Sequence, residues 1–333
     1  MSPTTVSNVL HGRTGRMAPE TLQKVQSILD QTRYVSNMGA QILGRHGSRL
    51  IALIIAYYSY EKESLLEDPF VGSIMGSVEQ TIRENGYFMM LYNNPDMDEC
   101  LQMARAWNIE GMILLGAQRQ DYYRMRRELK IPVVSIDSCY RRDDRGYVNV
   151  GLQDYEGGRI MTEYLISQGH KKIGYLALMQ NGTDPSVVYL DSARLKGYED
   201  AMRNHGLAVK KEWVTKLSTA EEERDAQVRQ LARRRFDGCT ALFFGSDAMA
   251  LEAAMVFRQE GFRVPEDISV AGFDNIRLAS RLSPSLATVD QNFEQKGRCA
   301  VCELLKLMRD PGYSSDIRLP VRLVPGESVR RIG

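Results

Sequence analysis

From Leu50 onward the chain alternates short apolar runs with amphipathic stretches, and few folds accept that rhythm. LIALIIAYY, YFMMLYN, GMILLG and Pro132-Val-Val-Ser-Ile read as strands buried on both faces. Between them, VGSIMGSVEQTIRENG (stopped by Gly86) and the segments near 97–107 and 120–130 carry helical periodicity. The rhythm then restarts with a helix near 155–169, the strand KIGYLAL, helices around 192–206 and 219–234, the strand TALFFG, a helix at 247–260 and the strand ISVAGF. LATVD, a helix around 295–308 and IRLPVRLV close the chain. Strands joined through helices pair in parallel with right-handed crossovers, so two doubly wound parallel sheets in series are expected. Such sheets bind ligands at the carboxyl ends of their strands, here in a cleft between two lobes.

The first fifty residues are of another kind. Ser2-Pro3 reads as an N-cap followed by a proline in the first helical turn, where a missing N–H costs nothing. Val6, Val9 and Leu10 fall on one face of a short helix, leaving Thr4, Thr5, Ser7 and Asn8 elsewhere. Small hydroxyl and amide groups without large charges suit base edges and phosphates. The same residues also fit a plain helical hairpin capping a larger domain. After a break at His11-Gly12-Arg13-Thr14-Gly15, Pro19-Glu20 opens a second amphipathic helix (Leu22, Val25, Ile28, Leu29) that ends near Tyr34. Ser36-Asn37 then caps a short helix, broken at Gly44 and Gly47, whose Gly39 and Ala40 would let two copies approach closely. Alone, so short a helix is marginal in water, but as a paired hinge that orders on DNA it is reasonable. This head carries a net charge of +4 over residues 1–50 against −3 for the remainder, the asymmetry of a phosphate-contacting module on a soluble body.

At 333 residues the chain accommodates two or three domains with sizeable cores. Its five cysteines are odd in number and scattered, which fits a reducing cytoplasm better than a disulfide framework. Cys299-Ala-Val-Cys302 lies inside a helical pattern without a second pair and reads as core packing. No long apolar segment could span a membrane, and the polar start is no signal peptide. None of the four histidines has metal-ligand spacing, and GxSxG, P-loop and GxGxxG motifs are lacking, so neither a metal, a cofactor nor an enzyme is expected. His170, in QGHKK, reads as a helix-end residue meeting the helix dipole.

Taken together, SPTTVSNVLHG, APETLQKVQSIL, RYVSNMGAQILGR and the strand that follows resemble the lactose-repressor (LacI/GalR) family of bacterial transcription regulators. GLQDYEGGRIMTEYLISQGHKKIGYL, ARLKGYEDAM, GSDAMALEAAMVFRQEGFRVPEDISVAGFDN and SPSLATVDQNF continue the likeness in the expected order. The resemblance implies a bilobed periplasmic-binding-protein-like domain of two doubly wound parallel sheets, preceded by a small all-α helix-turn-helix segment. It places a partial helix-turn-helix with a hinge helix (about 36–44) in residues 1–48, and effector binding and dimerisation in 49–333. The N-lobe would take about 49–150 plus 292–318 and the C-lobe about 151–291 plus 319–333, with three crossings between them. SPTTVS corresponds to the recognition helix, and the family's preceding helix and turn have no counterpart ahead of it. The chain as given is therefore expected to fold and dimerise through 49–333 yet to bind operator poorly.

By that resemblance, operator contacts fall to Thr4, Thr5, Ser7, Asn8 and His11, with Asn37, Ala40 and Leu43 from the hinge. Leu43 would wedge into the minor groove at the operator centre. Effector contacts fall to Asp68, Phe70, Asp137, Arg194, Asp247, Asp274 and Gln291, all at strand ends or loops around the cleft. Carboxylates with an arginine and an amide suit a polyhydroxylated ligand, a sugar or its derivative, since each carboxylate accepts two hydroxyl protons. Any one of these aspartates could instead cap a helix, and Asp247 before AMALEAAM fits that role well. Three departures stand out: a longer loop at 59–67, Gly151 where the family has an acid, and Pro325-Gly326-Glu327-Ser328 without its arginine. The first alters a pocket wall, and the other two bear on packing. The expected protein is a cytoplasmic, homodimeric regulator of operator DNA, without membrane partners. A stand-alone sugar-binding protein of the same bilobed fold is the alternative, and an α/β enzyme is a more distant one.

Overall fold

The computed structural model describes residues 2–10, 14–15, 17–32, 47–56, 67–94, 96–117, 119–138, 146–178 and 190–333. The chain divides into two compact units, Met1–Ser48 and Arg49–Gly333. In the smaller unit, helix α1 (Pro3–Leu10) packs on helix α2 (Pro19–Thr32). The Ser2 hydroxyl caps α1, accepting from the Thr5 amide at 3.2 Å. Val25 is buried, Val6 and Val9 are half-buried, and Ile28 is exposed. The expected hinge (Asn37, Ala40, Leu43) and His11 lie outside the described residues.

The larger unit holds two parallel sheets. In the first, strands β1 (Leu50–Ile55), β2 (Phe88–Asn93), β3 (Gly111–Leu115), β4 (Val133–Ile136), β5 (Val148–Leu152) and β11 (Ser315–Leu319) run in the order β11-β5-β4-β3-β1-β2. The second has β6 (Ile173–Ala177), β7 (Val214–Lys216), β8 (Ala241–Phe244) and β9 (Ser269–Ala271) in the order β7-β6-β8-β9. Helices α3 (Pro69–Glu84), α4 (Met97–Ala106), α5 (Arg119–Leu129) and α10 (Phe293–Arg309) accompany the first sheet. The second has α6 (Asp154–Ser167), α7 (Leu190–Asn204), α8 (Glu221–Arg233) and α9 (Asp247–Gln259). Strands β1, β3, β4 and β5 are almost wholly buried, as unbroken Val/Ile/Leu runs require when helices cover both faces.

The chain passes from the first sheet to the second after β5, back again after β10 (Thr288–Asp290), and away once more after β11. IRLPVRLV is two strands, not one. Pro320 has no N–H to donate, so β11 ends before it, and β12 (Arg322–Val324) pairs antiparallel with β10. Strand β7 carried no signal, because VTK is neither an apolar run nor an alternating one.

Of the departures, only the 325–328 segment has a steric feature: a Cβ on Gly326 would lie 2.4 Å from the Ala287 amide, whereas at Gly151 it would meet the movable end of Arg318. His170 corrects its expected role. It is fully buried, and burial pushes its pKa down, so the ring is no cation for a helix dipole. Its Nδ1 lies 2.9 Å from the Thr240 hydroxyl and its Nε2 3.1 Å from the Arg330 carbonyl, tying the C-terminal segment to the second sheet. The core reading of the cysteine pair is corrected as well, since Cys299 is half-buried and Cys302 exposed.

Helices α6 and α7 pack backbone to backbone, and glycine permits it. A Cβ on Gly158 would sit 2.0 Å from the Arg194 carbonyl oxygen, and one on Gly197 would sit 2.1 Å from that of Tyr155. Beside them, Gly157 leaves room for the Phe273 ring, 2.5 Å from where its Cβ would be. Gly197→Ala is therefore expected to push the helices apart and destabilise the larger unit by about 3 kcal/mol, the upper end of overpacking costs, measured by urea unfolding.

Candidate functional site

The carboxyl ends of both sheets meet at one junction, and every expected effector residue lies on a segment leading away from a strand there. Asp68, between β1 and α3, is the N-cap of α3 and accepts from the Phe70 amide at 2.8 Å. Asp137 directly follows β4, and Asp274 lies just beyond β9. Both hold positive φ (58° and 127°), and for Asp274 this is a region ordinarily left to glycine. Gln291 follows β10 and leads into α10.

Two groups of contacts organise the junction. In one, Lys296 of α10 is wholly buried and donates to both oxygens of Asp137, at 2.9 and 2.7 Å, and to Gln291 Oε1. Gln291 Nε2 then donates to Asp274 Oδ1 at 2.5 Å. Phe70 packs edge-on against Phe293, with the Lys296 ammonium 5.5 Å from its ring centroid. In the other group, Arg194 donates from Nε to Asp154 Oδ1 at 2.9 Å and from a terminal nitrogen to the Gly245 carbonyl at 2.7 Å. Its guanidinium carbon lies 3.6 Å from the centroid of the Phe273 ring. The charges of Arg194, Asp247, Asp68 and Lys296 all reach Asp274, so the two groups form one electrostatic site.

Burial raises the pKa of Asp274 well above the ordinary carboxylate range; Arg194 opposes the rise, and Asp247 and Asp68 add to it. Asp247 is pushed up to about 6, again by burial first, against hydrogen bonds from Thr288 and the Ile276 amide. Asp68 and Asp154 are raised as well, both through burial, with backbone amides opposing at Asp68 and Arg194 opposing at Asp154.

Asp247 is not the helix cap: that is Ser246, whose hydroxyl accepts from the Met249 amide at 3.3 Å. The Asp247 carboxylate instead receives the Thr288 hydroxyl at 2.6 Å and the Ile276 amide at 2.9 Å. It thus binds the end of the second sheet together, while Asp137 is engaged by Lys296. Sequence reasoning missed Asp154, Phe273, Thr288, Phe293 and Lys296. Of these Lys296 left a trace, a lysine in helical register with Ala300, Leu304 and Leu307.

A domain built from two parallel sheets, following the described helices α1 and α2 in sequence, is the class this architecture defines. The model of the periplasmic binding protein-like domain matches residues 162–329. The chain is 28% identical to the HTH-type transcriptional repressor PurR of Proteus mirabilis (strain HI4320), over 99% of this chain and 94% of that protein. It is 26% identical to the ribose operon repressor of Haemophilus influenzae, over 93% and 90%. Among solved structures, a complex of the transcriptional regulator CelR with cellobiose superposes with a TM-score of 0.70 at 26% identity, over 98% of this chain and 96% of that one. The lac repressor dimer bound to operator and the anti-inducer ONPF shares the fold with a TM-score of 0.80, at 22% identity over 99% and 96%. The chain belongs to the periplasmic-binding-protein-like family, in its lactose-repressor (LacI/GalR) branch of transcription regulators.

Removing the Arg194 side chain would strand a buried carboxylate as well as any ligand acceptor. Arg194→Ala is expected to destabilise the larger unit by about 3–5 kcal/mol, and Arg194→Ala combined with Asp154→Ala by clearly less, both read from chemical unfolding.

Proposed function

We propose that the chain is a DNA-binding transcriptional repressor whose larger unit takes an uncharged polyol, a sugar or simple sugar derivative, as its effector. The observation that carries this reading is the distribution of donors and acceptors at the junction. Arg194 and Lys296 direct N–H groups at protein acceptors. Among the described residues Asp274 receives one hydrogen bond, from Gln291, leaving lone pairs for ligand hydroxyls. An anionic ligand would meet carboxylates there, at a desolvation cost that no committed cation offsets. Phe70 and Phe293 supply apolar surface for a sugar ring. Asp68, Phe70, Arg194, Asp274 and Gln291 are the contacts we assign, with Asp137 and Asp247 acting one step behind them. Cellobiose, the ligand in the CelR complex, is of this chemical kind.

Operator binding falls to residues 1–48, where α1 carries Thr4, Thr5 and Asn8, with Ser7 assigned on the family resemblance. His11, Asn37, Ala40 and Leu43 join them on the family resemblance alone. Residues 49–333 form the effector domain, with the N-lobe in 49–150 plus 292–318 and the C-lobe in 151–291 plus 319–333. A regulator of this kind works in the cytoplasm, where the chromosome is. No described helix is long and apolar enough to cross a membrane. A second copy of the chain fits the apolar outer face of α9. Met255 and Leu282 are exposed there, around a groove of about 380 Å³ lined by Leu251, Phe262 and Pro284.

A thermal-shift screen with cellobiose, D-ribose, D-glucose, lactose, glucose 6-phosphate and gluconate tests the effector reading. One or more neutral sugars should raise the melting temperature, and the two anions should not. A shift from an anion with none from any neutral sugar would overturn it. Enrichment of duplexes from a random DNA pool should yield a near-palindromic site whose retention changes with the same sugar. Failure to enrich any site, with sugar binding intact, favours the stand-alone binding protein. For the dimer, Met255→Glu is expected to convert the chain to a monomer in light scattering without loss of fold.

A further inference from the structure

Lys296 is the fourth residue of α10, wholly buried, and it serves neither the helix nor a described ligand contact. Its ammonium has three N–H groups and three acceptors, the two Asp137 oxygens and Gln291 Oε1. Its three donors are thereby matched to acceptors away from water. The arrangement also has a directional consequence. Because Oε1 of Gln291 must face the ammonium, its Nε2 is turned toward Asp274. A continuous polar chain, Asp137–Lys296–Gln291–Asp274, thus runs from the tip of β4 in the first sheet to the segment beyond β9 in the second. Both of its ends sit in strained, positive-φ backbone that these hydrogen bonds help to hold.

We propose that Lys296 is a positioning residue that couples the two sheets, so that what happens at Asp274 is felt at Asp137, a residue it does not touch. The use of this coupling in an effector response rests on the reading above, but the coupling itself is testable without a ligand.

The test is a double-mutant cycle on the full chain, with Asp137→Asn and Asp274→Asn singly and together, read by urea unfolding. Asparagine matches aspartate in shape, and at Asp137 in tolerance of the αL region, so each change removes a charge with little change of volume. With Lys296 present, the joint effect on the unfolding equilibrium constant should depart from the product of the single effects by about tenfold. In the Lys296→Met background the departure should vanish. Equal non-additivity in both backgrounds, or additivity in both, would overturn the proposal, because a merely structural lysine lowers stability without coupling the two sites. If Lys296→Met alone does not fold, Lys296→Met/Asp137→Asn removes both charges together. Hydrogen exchange at 133–138 then reads the coupling: Asp274→Asn should alter it in the native background and leave it unchanged in this one, and a response in both would refute the role of Lys296. A sugar screen without hits would defeat the effector reading while leaving this cycle fully readable.

Discussion

The ion pair between Arg194 and Asp154 is the contact on which the junction depends. Two charges taken out of water cost several kcal/mol each, so the pair persists only with its remaining donors and faces satisfied. The Gly245 carbonyl takes one further N–H, and the Phe273 ring covers the guanidinium at 3.6 Å. Glycines make room for two of these neighbours, Asp154 on α6 and the Phe273 ring. Gly158 and Gly197 allow α6 and α7 to touch backbone to backbone, which carries Arg194 to the start of α6, and Gly157 admits Phe273 beside it. From this position the guanidinium opposes the rise that burial imposes on the Asp274 and Asp247 carboxyls. Helix packing thus places the guanidinium charge that opposes burial at both carboxyls.

The fold was legible because buried parallel strands are written as unbroken apolar runs and their helices as amphipathic ones, and each signal is local. The site was legible in part for a related reason. Segments after parallel strands converge, so polar residues just beyond LIALII, IPVVSI and ISVAGF belong to one place whichever topology joins them. Partners were another matter. Asp154 lies 40 residues from Arg194, and Lys296 lies 159 from Asp137. Nothing local marks such pairs. Lysine in an amphipathic helix ordinarily faces water, and only its register with Ala300, Leu304 and Leu307 argued otherwise. Asp247 shows the converse: its position before a helix suggested a cap, but a serine one residue earlier takes that role, and the carboxylate turns to Thr288 and Ile276 instead.

The smaller unit obeys a different economy. Two short helices of 8 and 14 residues cannot bury much between them. Val25 is buried, yet Val6 and Val9 remain half-exposed and Ile28 is open. Among the described residues this is a small core, and Thr4, Thr5 and Asn8 give α1 side chains that hydrogen-bond without carrying charge.

A regulator differs from a simple binding protein in what its ligand must accomplish. Binding shifts a conformational equilibrium only as far as the ligand prefers one state over the other, so a ligand held by one rigid sheet changes nothing however tightly it is held. The candidate contacts meet that requirement by their origin. Asp68 and Phe70 come from the first sheet's segments, Arg194 and Asp274 from the second's, and Gln291 from the strand that crosses between them. A polyol hydrogen-bonded to Asp68 on one side and Asp274 on the other would bridge segments of both sheets. Its binding energy would then be largest in the arrangement that brings the sheets together, which is the differential affinity a switch requires.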